Sequence, residues 1–210
     1  MKQPPQKKVE SQGLSDLLRS GSAGAINQTA RLIAHAGLTP NGLSIIGFLL
    51  AVGAATLAAS GKFWQAGLVY FAAGPFDVLD GAVARVTGKT SPFGAVLDSV
   101  LDRYGEGILL TAIGYALAKQ ENWIGFWLAF TTLIGAMLIS YVRARSEGVG
   151  LRNSVGILTR FERLVIMYVM LFTGLILPGL AVLSVLTHVT VIQRLVHVHR
   201  LAASSDHPTK

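Results

Sequence analysis

The chain has 210 residues, of which 51% are apolar and only 14% charged, with a mean hydropathy of +0.53 and a formal net charge of +7. This composition excludes an ordinary soluble enzyme, and the absence of cysteine excludes a disulfide framework or a thiolate metal site. The positive charge comes with neither a basic recognition helix nor a stacking motif, so membrane topology and anionic lipid headgroups account for it better than nucleic acid.

In chain order, the polar, basic tail over residues 1–13 is not followed by a short apolar core with a small-residue cleavage site, so no cleaved signal peptide is expected. Residues 14–36 mix Leu17, Leu18, Ile26, Leu32 and Ile33 with Asp16, Arg19, Asn27 and Arg31. That pattern suits an amphipathic helix lying in the membrane interface, with an ordinary soluble helix as the alternative. Six segments then reach the roughly 20 residues needed to cross a bilayer, over 41–60, 63–86, 93–118, 123–145, 155–177 and 178–198. The expectation is an all-α integral membrane bundle, a single domain over 14–200 with a polar tail at 201–210. Leu177, Pro178 and Gly179 mark the break between the last two spans.

Placing the N-terminus in the cytoplasm leaves Lys62 and Lys119 as the basic residues of the outer connections and the other 16 of 18 Lys and Arg on the inner side. A multi-pass protein of the cytoplasmic membrane is therefore expected, with both termini inside. Trp64, Trp123 and Trp127 fall near the outer ends and read as an interfacial belt. His197 and His199, beside Arg194 and Arg200, read either as a solvated helix end or as a metal site.

The chemistry lies between Asp77 and Asp102. Asp77 and Asp80 are three apart, and Asp98 and Asp102 four apart, so each pair shares a helix face. A charged carboxylate costs about 2.5–3.5 kcal/mol at membrane depth, so these four should face one site, and the topology opens it to the cytoplasm. Hard oxygen ligands suit Mg²⁺ or Mn²⁺ bridging to phosphates. Two such ions would neutralise a pyrophosphate while one carboxylate takes a proton from an incoming hydroxyl. Gly81 permits close approach of a ligand to the backbone, and Arg85 is placed to meet a phosphate. Further on, Ser140, Arg143 and Arg145 at one inner end and Arg160 and Arg163 at the next gather four guanidinium groups, which suits an anionic, phosphate-bearing acceptor. Inner-side topology and pairing of Arg143 with Glu147 are the alternative explanation.

The run Asp77, Asp80, Gly81, Ala84, Arg85, Gly94, Asp98 and Asp102, with its gaps, resembles the signature of the CDP-alcohol phosphotransferases at every position. The resemblance implies a transferase that moves a phosphoalcohol from a CDP-alcohol to an acceptor hydroxyl, releases CMP, holds two metal ions per active site and forms a homodimer. By position it implies Asp77, Asp80, Asp98 and Asp102 as metal ligands and Asp102 as general base. It implies Asn41, Ser44, Gly81, Arg85 and Ser91 as the CDP-lipid side, although Thr39, Pro40 and Asn41 also suffice as a plain helix start.

Ser140, Arg143, Arg145, Arg160 and Arg163, with Asp102, Arg103 and Glu106, look like the phosphatidylinositol-phosphate synthase branch. That branch joins CDP-diacylglycerol to inositol 1-phosphate. One position departs, Arg143 standing where Lys is expected. The glycerol-phosphate branch usually carries Pro and Lys where Ser99 and Arg103 stand here, yet glycerol 3-phosphate stays open as acceptor. From a different class, a cation transporter would also use membrane carboxylates, but a stretch such as Leu109 to Ala118 offers it few polar residues toward the outer side.

Overall fold

The computed structural model describes residues 14–205, with side-chain surroundings for 24–203. Residues 1–13 and 206–210, where most of the two polar tails was expected, lie outside the described residues. Among the described residues there are seven helices and no strand: α1 (Leu14–His35), α2 (Pro40–Ala59), α3 (Phe63–Thr87), α4 (Pro92–Lys119), α5 (Trp123–Gly148), α6 (Arg160–Thr173) and α7 (Ile176–Ser205).

Local chemistry starts these helices. Pro40 and Pro92 open α2 and α4 behind Thr39 and Ser91, whose hydroxyls accept the amides of Gly42 (3.1 Å) and Gly94 (3.0 Å). Asn122 caps α5 through Gly125 (2.9 Å), and Thr159 with Glu162 forms a capping box at the start of α6.

Four helices, α2, α3, α5 and α7, are long and apolar enough to cross a membrane, which makes this a multi-pass membrane protein. The 28-residue α4 carries Asp98, Asp102, Arg103 and Glu106 along its first half, so apolarity alone does not qualify it. The fifth expected span needs correction. Residues 151–159 are not helical, and α6 is a 14-residue helix of about 21 Å. It stops at Gly174, whose φ of 75° is the left-handed conformation that ends helices. Pro178 then falls within the first turn of α7 rather than at a break, a place where its missing amide costs nothing. At the other end α7 runs on to Ser205, past the start of the expected tail.

The main core is built from Ala51, Ala54, Ala55 and Ala58 of α2, Ala66 and Tyr70 of α3, Leu109, Leu110, Ile113 and Leu117 of α4, and Met167, Met170 and Leu171 of α6. Small side chains let the helix axes approach closely, as membrane bundles require. A Cβ at Gly135 of α5 would lie 2.2 Å from Thr187 Oγ1 of α7. A smaller cluster of Ala30, Leu43, Ala82 and Val83 seats α1 against α2 and α3. α2 thereby packs against both α3 and α4, the two helices that carry the acidic residues, with α6 against α3.

The connection over 149–159 is tied to α7. The amides of Ile157 and Leu158 donate to Gln193 Oε1 (3.1 Å) and Thr190 Oγ1 (3.2 Å), and Arg194 Nε donates to the Val155 carbonyl (2.9 Å).

Candidate active site

Helical spacing turns the two carboxylates of α3 and the two of α4 toward each other. Oxygens of Asp77, Asp98 and Asp102 lie within 4.8 Å of one another, each residue half-buried. Asp80 is buried and accepts a 2.6 Å hydrogen bond from Ser44 Oγ of α2, so it stands beside the trio with one oxygen engaged. Arg160, from the first turn of α6, donates through Nη1 to both oxygens of Asp77 (3.1 and 3.2 Å), and its Nη2 lies 2.6 Å from Asp102 Oδ1. Arg103 reaches the other oxygen of Asp102 (3.3 Å) and also donates to Ser140 Oγ (3.1 Å), linking α4 to α5.

Four acids against two arginines leave a surplus of negative charge in a partly dehydrated cleft, where carboxylates repel strongly. A donor set of clustered carboxylate oxygens and nothing softer fits a hard divalent cation such as Mg²⁺ or Mn²⁺. Among the described residues this trio is the one group of potential ligands that converges; His197 and His199 join none.

Two cavities meet at these acids, and a third joins them through Arg160. A cavity of about 230 Å³ is lined by Asp77, Asp80, Asp98, Asp102 and Arg160, together with Tyr70 and Tyr168. A second, of about 250 Å³, is lined by Asn41, Ser44, Gly81, Arg85 and Ser91, all five residues expected on the nucleotide side, and it shares Ser44, Asp80 and Asp98 with the first. Its glycines leave little room for a side chain. A Cβ at Gly94 would press on Ser91 Oγ (3.0 Å) and Asn41 Oδ1 (3.1 Å), and one at Gly81 would meet Arg85 Nη1 at 3.3 Å.

The third cavity, about 1,050 Å³ between α4 and α5, is lined by Ser140, Arg143, Arg160 and Arg163, along with Arg103 and Arg194. Arg145 is exposed and is not one of its walls. Arg143 pairs with Glu147 at the rim (2.9 Å). Arg163 is almost fully buried, its Nε and Nη2 bound to Glu106 at 2.8 and 3.0 Å.

Arg194 escaped the sequence reading, which treated it as a neighbour of the histidines. It is 4% exposed and donates to two backbone carbonyls, Val155 (2.9 Å) and Ile139 (2.6 Å). Among the described residues it has no carboxylate within ion-pair distance. An apolar stretch interrupted by one Arg among Thr187, Thr190 and Gln193 was the available signal.

Residues 37–198 match the model of the CDP-alcohol phosphatidyltransferase family. The chain is 37% identical over 175 residues to an archaetidylinositol phosphate synthase of Pyrococcus horikoshii, covering 80% of this chain and 88% of that protein. It is 34% identical over 203 residues to a phosphatidylinositol phosphate synthase of Cutibacterium acnes, covering 89% and 98%. Crystal structures of phosphatidylinositol phosphate synthase from Mycobacterium tuberculosis superpose at 32% identity. The form with CDP-DAG bound gives a TM-score of 0.78 over 82% of this chain and 92% of that one. The form with manganese and citrate gives 0.75 over 82% and 88%.

Proposed function

This chain belongs to the CDP-alcohol phosphatidyltransferase family, and from that premise we propose that it transfers a phosphatidyl group from CDP-diacylglycerol to a hydroxyl of inositol 1-phosphate, giving phosphatidylinositol phosphate and CMP. The observation that carries this reading is how the cavities join: the acidic cavity shares Ser44, Asp80 and Asp98 with the pocket holding Gly81 and Arg85, and Arg160 with the pocket holding the arginines. Relatives and superposed structures named for inositol phosphate acceptors support the choice of acceptor. Family membership leaves the transporter alternative without support.

Asp77, Asp80, Asp98 and Asp102 would hold two divalent ions, which when bound neutralise the pyrophosphate and stabilise charge on the departing CMP. Asn41, Ser44, Gly81, Arg85 and Ser91 hold the CDP portion. Arg143, Arg160 and Arg194, with Ser140, receive the acceptor phosphate by charge-assisted hydrogen bonds. Arg163, held by Glu106, shapes that pocket, and exposed Arg145 contributes long-range charge. Asp102 takes the proton of the acceptor hydroxyl as its oxygen attacks the lipid-side phosphorus. The phosphorus–oxygen bond to CMP breaks, and CMP leaves with the electron pair.

We read α4 and α6 as crossing with the four apolar helices, six spans in all, the short α6 being met by local thinning of the bilayer. On this reading α1 lies in the interface, the acids and both termini face the cytoplasm, and the protein works as a homodimer.

The test is CMP release from labelled CDP-diacylglycerol with Mg²⁺ or Mn²⁺, comparing inositol 1-phosphate, glycerol 3-phosphate, free inositol and serine. Inositol 1-phosphate should support turnover alone or best; preference for glycerol 3-phosphate would overturn the acceptor assignment. Asp102→Asn should lower turnover by about 10²–10⁴-fold while the protein stays folded and binds the CDP-lipid. Undiminished turnover would remove Asp102 as the base.

A further inference from the structure

Arg160 is, among the described residues, the one side chain that lines both the acidic cavity and the arginine cavity. On the acidic side its guanidinium engages two of the three converging carboxylates, Asp77 through both oxygens and Asp102 through Oδ1. On the other side the cavity wall continues with Arg103, Arg143, Arg163 and Arg194, cations with no claim on Asp77. The Arg160 side chain is 37% exposed, so it is not locked by packing as Arg163 is, at 3%.

A guanidinium and a divalent cation want the same carboxylate oxygens. Ions taking Asp77 and Asp102 remove the acceptors of Arg160 and set like charge beside it, which repels the guanidinium. Because Arg160 also lines the arginine cavity, an anion there offers the displaced fork another partner. We propose that Arg160 is an exchangeable counter-cation: it neutralises Asp77 and Asp102 until divalent ions arrive, then turns into the arginine cavity to hold the acceptor's phosphate. This rests on the metal and acceptor roles proposed above. It makes metal binding and acceptor binding favour each other, reciprocally by linkage. The arginine cavity is completed only once the acids are loaded, so acceptor capture follows metal capture.

The experiment measures binding rather than turnover, on the full-length protein in nanodiscs, by titration calorimetry and by the electron paramagnetic resonance signal of Mn²⁺. Wild type should bind inositol 1-phosphate about five- to tenfold more tightly when saturated with Mn²⁺. Arg160→Gln should bind Mn²⁺ alone more tightly than wild type, by about tenfold, and lose the coupling. Arg160→Lys, which keeps a charge but not the fork, should fall between and serves if the Gln variant is poorly folded. Arg143→Gln should weaken the acceptor while leaving Mn²⁺ affinity and the coupling unchanged.

Full coupling retained in both Arg160 variants, or Mn²⁺ affinity unchanged or weakened in them, would overturn the exchange. Coupling seen with glycerol 3-phosphate but not with inositol 1-phosphate would support the exchange and correct the acceptor. Failure of wild type to bind Mn²⁺ at all would overturn the metal reading and the exchange with it.

Discussion

Two ion pairs of the same chemistry carry opposite weight. Arg143 and Glu147 stand about half exposed on one helix face (56% and 46%), where such a pair contributes about 0.3–0.5 kcal/mol. Arg163 and Glu106 are bidentate and almost dehydrated (3% and 8%), joining α6 to α4. Removing one member of a buried pair strands the other charge, at about 3–5 kcal/mol. Glu106→Ala should therefore lower the thermal unfolding midpoint sharply, whereas Glu147→Ala should barely move it; equal midpoints would show that the buried pair is not what holds α6. The contrast also separates what was legible in the chain from what was not. The aspartates could be read because helical period alone puts Asp77 with Asp80 and Asp98 with Asp102. The pairing of Arg160 with Asp77, 83 residues apart, and the carbonyl contacts of Arg194, 39 and 55 residues apart, depend on how the helices pack.

Helix starts were mostly legible because they depend on local chemistry, as at Pro40, Phe63, Pro92 and Trp123. The α5–α6 connection was not, because hydropathy registers apolar residues without asking whether their backbone is helical. Leu158 is buried, yet its amide is bound to Thr190 rather than within a helix, and Gly156 sits at φ 135° against Thr190. Close packing between elements can be tested with paired glycines. Gly135→Ala would force α5 from α7 and should cost about 1–3 kcal/mol. Gly24→Ala, in α1 with nothing within 4 Å, should cost nothing or gain about 0.5–1 kcal/mol from lower chain entropy. Unfolding midpoints that fall alike in the two variants would contradict the close approach at Gly135.

At the scale of the whole molecule, an all-helical multi-pass bundle was legible from composition, whereas the joining of the acidic cavity to the arginine cavity through Arg160 was not. The proposed sidedness has a direct test, because a chain without cysteine can be labelled at one introduced thiol. Lys62→Cys, in the turn before α3, should react with an impermeant maleimide on intact cells. Arg152→Cys, in the α5–α6 connection, should react only in inverted vesicles. The reverse pattern would place the acids on the outer face.

The alanine face of α2 has a mechanical consequence. Ala51, Ala54, Ala55 and Ala58 have no side-chain torsions, so ordering them sacrifices almost no rotamer freedom, and they offer no soft degree of freedom to absorb a displacement. A shift of α2 against α3 or α4 is therefore passed on rigidly through the backbone to the Ser44 and Asp80 contact. The separation of the four carboxylates is inherited from how near three helix axes can come, and a single methyl added on this face would detune it from two turns away.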